Sequence, residues 1–132
     1  MHPRNLALVG AALGAGGGAL GLIVPGSFAT VFGIQLDATA TAFVRLACAS
    51  YVGFGALNWA ARDLTDQAAW RVVAVGNATS WAISGVVVAM ALASGLGNAT
   101  AWFIVVLQVV MTIAWLGVVA WSRGSGPDTS SR

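Results

Sequence analysis

Polar and apolar positions do not alternate along this chain; they segregate into four long apolar runs divided by short polar breaks. The runs cover residues 6–24, 38–61, 72–94 and 99–121. At ~1.5 Å per residue, each is long enough as an α-helix to cross the ~30 Å hydrocarbon layer of a bilayer. The pattern therefore predicts an all-α fold, a four-transmembrane-helix bundle with up-down topology. It forms one domain, residues 1–121, and leaves a Gly/Ser/Pro-rich stretch, 122–132, as a flexible cytoplasmic tail. A basic start ahead of an apolar run also describes a signal peptide. The run is of spanning length, however, and is read as the first membrane helix.

The breaks carry their own signals. Asp37 and Asn98 precede the second and fourth runs as helix N-caps. Gly26–Leu36 is apolar but too short to cross, and with Phe28, Phe32 and Ile34 it suits a turn lying in the interface. Arg62–Arg71 is the most polar interior segment and reads as the loop between the second and third spans, with Trp70 in the aromatic belt. With four crossings, Arg4, Arg62, Arg71, Arg123 and Arg132 share one side, and the opposite loops hold Asp37 and no arginine. The positive-inside rule places both termini in the cytoplasm, and so the protein in a cell (inner) membrane.

Composition agrees with that solvent assignment. Hydrophobic residues make up 58% of the chain and charged residues 8%, against about 25% charged in soluble domains. Lysine and glutamate are absent, and the Ala/Gly/Val-rich remainder suggests a GC-rich bacterial source. The pI near 9.5 rests on arginines that mostly flank the spans, so no basic face forms and nucleic acid is a poor partner. The expected partners are the lipid bilayer and either a second copy or other membrane subunits.

Within the spans a few residues stand out. Arg45 lies about 12 Å along its helix from the Asp37 cap, in the first half of the crossing. An arginine there can snorkel toward Asp37, loop carbonyls or a headgroup, or it can hold an anionic ligand. Tyr51 sits mid-span and calls for a hydroxyl partner. Asn77, Ser80 and Ser84 form one mildly polar stripe on the third span, and Gln108, Thr112 and Trp115 share a face on the fourth. Such stripes should turn toward the bundle interior, where interhelical hydrogen bonds are worth ~0.6 kcal/mol each. Gly10, Gly14 and Gly18 make a ladder of small residues on the first span, and Ala49 and Gly53 make a small-xxx-small pair on the second. Both predict close helix–helix contact.

The second span and its entry also resemble a known family. Phe32-Gly33, Asp37, Arg45-Leu46, Gly53, Gly55 and the exit Asn58-Trp59-Ala60-Ala61-Arg62 are similar to a family of small bacterial four-helix membrane proteins of unknown function. The likeness covers about a third of the chain. It implies the four-span architecture, with Arg45 as the position of interest, and brings no activity, cofactor or catalytic residue. An internal echo, GNATSWAI at 76–83 and GNATAWFI at 97–104, would fall on antiparallel spans at opposite depths. A transporter-type inverted repeat would instead relate spans one and two to three and four, so the echo reads as compositional coincidence.

Several chemistries lack their residues. The single histidine, His2, is in the terminal arm, and Cys48 is alone within a span, which leaves no nucleophilic triad, zinc or haem ligand set and no intramolecular disulfide. A Schiff base needs lysine. Asp37, Asp63, Asp66 and Asp128 all fall outside the spans, so the embedded carboxylate usual in proton coupling is missing. The expectation is a non-enzyme without catalytic residues, metal or cofactor. Three roles follow in order: a structural or accessory subunit held by small-residue helix faces; an oligomeric transporter or channel with Arg45, Asn77 and Gln108 along a polar path; and a lipid- or pigment-binding protein using Trp81 and Trp115.

Overall fold

A computed structural model describes residues 2–124. These residues form five α-helices: α1 (Pro3–Ile23), α2 (Pro25–Val31), α3 (Ala38–Ala61), α4 (Gln67–Ala93) and α5 (Trp102–Gly124), the last entered through a 3-10 turn, Ala99–Ala101. Among the described residues, α1, α3, α4 and α5 with its 3-10 turn are long and apolar enough to cross a membrane.

Local chemistry sets the ends. Pro3 occupies the first turn of α1, where a missing N–H costs nothing, and His2 Nδ1 accepts the Arg4 N–H at 3.3 Å. Pro25 stops α1 and opens α2, a seven-residue helix where a turn was expected. Asp37 Oδ1 accepts the Ala40 N–H at 2.7 Å, and α3 occupies the predicted range. The third span differs from expectation: it starts at Gln67 rather than Val72, because Asp66 Oδ2 accepts the Ala69 N–H at 2.8 Å and nucleates the helix ahead of the apolar run. The last helix likewise continues through Ser122 to Gly124, taking in the start of the predicted tail. The remainder of that tail, 125–132, lies outside the described residues.

The four long helices pack as two hairpins, α1 with α3 and α4 with α5, dense within each pair and sparser between pairs. In the first pair, Gly10 faces Asn58, Gly14 faces Gly55, and Gly18 faces Cys48 and Val52, so the two helices run antiparallel. The hairpins are joined at the end holding the α1 N-terminus. There Leu6 and Ala7 pack against Trp70, Ala74 and Ala78 of α4 and Met111, Trp115 and Val118 of α5, with Trp115 completely enclosed. At the opposite end one residue clasps the two loops. The Asn98 N–H donates to Phe32 O at 2.9 Å, its Nδ2 donates to Val31 O at 3.1 Å, and its Oδ1 accepts the Thr100 N–H at 3.0 Å. Gly33 (φ 74°) and Gly97 (φ 90°) allow that approach, since a side chain on either would be strained by its positive φ and would press on Asn98 or Phe32 O respectively.

The outside is apolar. Val72, Phe103 and Leu57 are each more than two-thirds exposed, as are many neighbours to a lesser degree. Exposure on this scale around all four long helices is a surface suited to lipid.

Candidate functional site

The interior polar residues come from three helices, and the structure brings only some of the predicted ones together. Asn77 is buried between the hairpins, and its partner is Asn58 of α3. Asn58 Nδ2 donates to Asn77 Oδ1 at 3.1 Å and to Phe54 O at 3.0 Å, while Asn77 Nδ2 donates to Val73 O at 2.9 Å. One amide–amide hydrogen bond thus crosses the α3–α4 contact, and each amide also donates to the carbonyl one turn back on its own helix. A second, longer contact, Tyr51 Oη to Ser84 Oγ at 3.5 Å, supplies the hydroxyl neighbour Tyr51 needs and sets the same antiparallel register.

That register separates the predicted polar residues. Position 45 falls level with position 90 of α4, roughly 20 Å along the axis from Asn77. Arg45 is exposed on the outer side of α3, and the Asp37 carboxylate is occupied as a helix cap. Among the described residues the ion pair found is Arg62–Asp63, at 3.4 Å, with the Arg62 guanidinium also stacked 3.8 Å over the Trp59 ring. Within this chain Arg45 and Asn77 therefore stand apart, one exposed and one buried.

Gln108 is buried where α5 meets Gly85 of α4, and Thr112 Oγ1 donates to its backbone carbonyl at 2.7 Å. Its Oε1 has no hydrogen-bond partner among the described residues, nor do Trp81 Nε1, Trp115 Nε1 and Asn58 Oδ1. A groove of about 330 Å³ opens beside Gly85 and Gln108 toward the outside of the α4–α5 hairpin, with Trp81 and Thr112 in its wall. The groups gathered at these sites are neutral amides, indoles and hydroxyls.

The small-residue predictions divide. Gly10, Gly14 and Gly18 are all buried against α3. A Cβ on Gly14 would stand 2.9 Å from Tyr51 O, and one on Gly18 2.7 Å from Cys48 O. Ala49 and Gly53 instead lie on the exposed side of α3, and a Cβ on Gly53 would meet nothing within 4 Å. The residue that receives α1 is Gly55, where a Cβ would stand 2.5 Å from Ala15 N. Gly53 and Gly55 are about 200° apart around the helix, so only one can face α1. Asn58 is the residue the sequence reading passed over as a polar group. Its signal was the stripe on α4, which required a hydrogen-bonding partner from a neighbouring helix.

The amide pair gives a direct test. Asn58→Leu and Asn77→Leu are each expected to destabilise the folded protein in detergent, and a double-mutant cycle should return a coupling of about 0.6–1.7 kcal/mol. Zero coupling would mean that the two side chains do not hold the hairpins together.

No family model, curated protein or solved structure matches the chain.

Proposed function

We propose that this chain is a multi-pass protein of a bacterial inner membrane, with both termini cytoplasmic, serving as a structural or accessory subunit of a membrane assembly. One observation carries the reading. The exposed positions Ala42, Arg45, Ala49, Gly53, Ala56 and Ala60 fall within one arc of about 80° on α3 at 3.6 residues per turn. A helix face meant only for lipid has no use for such a smooth strip, whereas a second helix can approach it closely and gain van der Waals contact. Arg45 is the one long side chain on it and supplies a charge for a partner carboxylate or a lipid phosphate. The glycine ladder of α1 is consumed inside the fold, which leaves α3 as the face for neighbours. The five arginines on the side of the termini and the 62–71 segment support the orientation.

Site-specific photo-cross-linking tests it. A benzophenone amino acid at Gly53 is expected to capture a protein neighbour of constant mass in intact membranes, either a second copy or another subunit. The same group at Gly76, an exposed position on α4 with nothing within 4 Å, should capture lipid alone. Protein adducts absent at Gly53, or equal at both positions, rule the assembly role out.

A further inference from the structure

Between the Asn58–Asn77 amides and the Asn98 clasp the two hairpins touch only lightly, and a cleft of about 300 Å³ lies open along the α3–α4 seam. Its wall is Ala47, Ser50, Tyr51 and Phe54 of α3 with Ser80 and Ser84 of α4, four hydroxyls and no charge. These polar groups are within reach from outside: Tyr51 is 38% exposed, Ser50 is exposed, and Ser80 and Ser84 are half-buried. Tyr51 and Ser80 each stand at the middle of their helices, the depth of the bilayer centre. Tyr51 and Gly53 are about 160° apart around α3. The cleft is therefore on the side away from the small-residue strip, and what it implies does not rest on the assembly role.

The hydroxyls differ in where their protons go. Ser50 Oγ donates to Leu46 O at 3.2 Å and Thr112 Oγ1 to Gln108 O at 2.7 Å, each bonding back to its own helix. Ser84 Oγ turns across the seam instead, toward Tyr51 Oη at 3.5 Å. That separation is well beyond the ~2.8 Å of a good O–H···O bond, and one of the two protons at most can be spent in it. At the centre of a bilayer no water is at hand to take the other. An acceptor oxygen ~2.8 Å from both hydroxyls fits over a pair 3.5 Å apart and takes both protons, one on each lone pair.

We infer that this cleft binds an uncharged, mainly apolar molecule through a carbonyl oxygen, a lipid with a mid-chain carbonyl in chemical class, held by Tyr51 and Ser84. A carbonyl brings two lone pairs and no proton, which is the complement of two O–H donors, whereas an alcohol would add a third proton. An anion would enter with no arginine in the wall to meet it. The ester carbonyls of a phospholipid sit at the rim of the hydrocarbon layer, ~15 Å from its centre. The carbonyl that reaches Tyr51 must therefore be carried within the chain. Ala47 and Phe54 give the flanking hydrocarbon apolar contact.

The experiment uses the full chain reconstituted in ether-linked phosphatidylcholine, whose tails bring no carbonyl, and titrated with a symmetrical long-chain dialkyl ketone. Infrared spectroscopy reads the ketone stretch. A second, lower-frequency band of hydrogen-bonded ketone should appear, saturate near one ketone per chain, and be absent from vesicles without protein. Tyr51→Phe and Ser84→Ala should each raise the half-saturating ketone fraction several-fold, up to about tenfold, the range set by the loss of one hydrogen bond. The double variant should lose the band. Ser50→Ala should saturate as the parent does, because the Ser50 proton is already spent on Leu46 O. All three replacements are conservative and lie at exposed or half-buried positions, and elution with the parent in detergent checks that each folds. A ketone stretch no different from that in empty vesicles overturns the proposal. So does a shifted band that survives in the double variant, or one that Ser50→Ala removes as readily. The α3 cross-linking result is unaffected by either outcome.

Discussion

Gly55→Leu is expected to abolish the folded bundle, and Gly55→Ala to destabilise it by about 1–3 kcal/mol, the cost of overpacking a tight contact. The reason is the nature of the neighbours. An added Cβ at Gly55 meets Ala15 N at 2.5 Å and Ala11 O at 3.0 Å, both backbone atoms of α1 that cannot rotate aside. Relief requires α1 and α3 to separate, and separation also loosens Gly14 and Gly18 from their seats against Tyr51, Cys48 and Val52. Three controls flank the prediction. Gly16→Ala and Gly17→Ala, with nothing within 4 Å of the new methyl, should be neutral or stabilising by about 0.5–1 kcal/mol through helix propensity. Gly53→Ala, two residues from Gly55, should likewise fold as the parent does. Reversible unfolding in mixed micelles, followed by tryptophan fluorescence and circular dichroism, measures all five. A Gly55→Ala protein as stable as the parent would mean that α1 does not pack on α3 in this register.

Trp115→Ala is the second large effect. Trp115 is fully enclosed among residues of α1, α4 and α5, so its removal empties the core that the hairpins share. In a membrane the separated helices lie in lipid, and the usual transfer from water does not enter the balance. What remains is the cavity and the lost dispersion: on the order of 100 Å³ at about 24 cal/mol per Å³ gives roughly 2.5 kcal/mol. Trp115→Phe should cost much less, because it keeps most of the volume and removes an indole N–H that has no partner among the described residues. Trp102→Ala and Trp121→Ala, at exposed positions, should leave the unfolding midpoint unchanged. If Trp115→Ala unfolds at the parent midpoint, the shared core does not contribute to the association of the hairpins.

What was legible in the sequence follows the range of the forces involved. Helix existence is local, and the Asp37 cap with the polar residues after Ala61 marked α3 to the residue. Asp66 is as good a cap as Asp37, but it stands among the charges of Arg62–Arg71, which have the pattern of a loop. Lipid thickness sets where a span must be apolar, and it does not set where a helix begins, so α4 starts in what reads as a loop. The Gly10/Gly14/Gly18 ladder announced a contact face but not its occupant, since 3.6-residue periodicity names a side of one helix and says nothing of which helix covers it. For the same reason Gly53 and Gly55 were indistinguishable in the chain. Asn58 did not stand out as an interior polar group because an amide near a span end is commonplace; its burial depends on a register fixed by α4. The stranded groups at Trp81 and Gln108 became visible only when two helices closed around them.

The division into two hairpins bears on how the molecule is made. Each pair consists of helices adjacent in the chain, so nearly every close contact in it joins segments that emerge from the ribosome one after the other. The backbone-to-backbone fit at Gly14 and Gly55 lies wholly within α1 and α3 and needs nothing from the second half. Each hairpin is thus held by short-range contacts of the kind that form quickly. The Asn58–Asn77 amides, the Trp115 core and the Asn98 clasp are the seams that join the two halves.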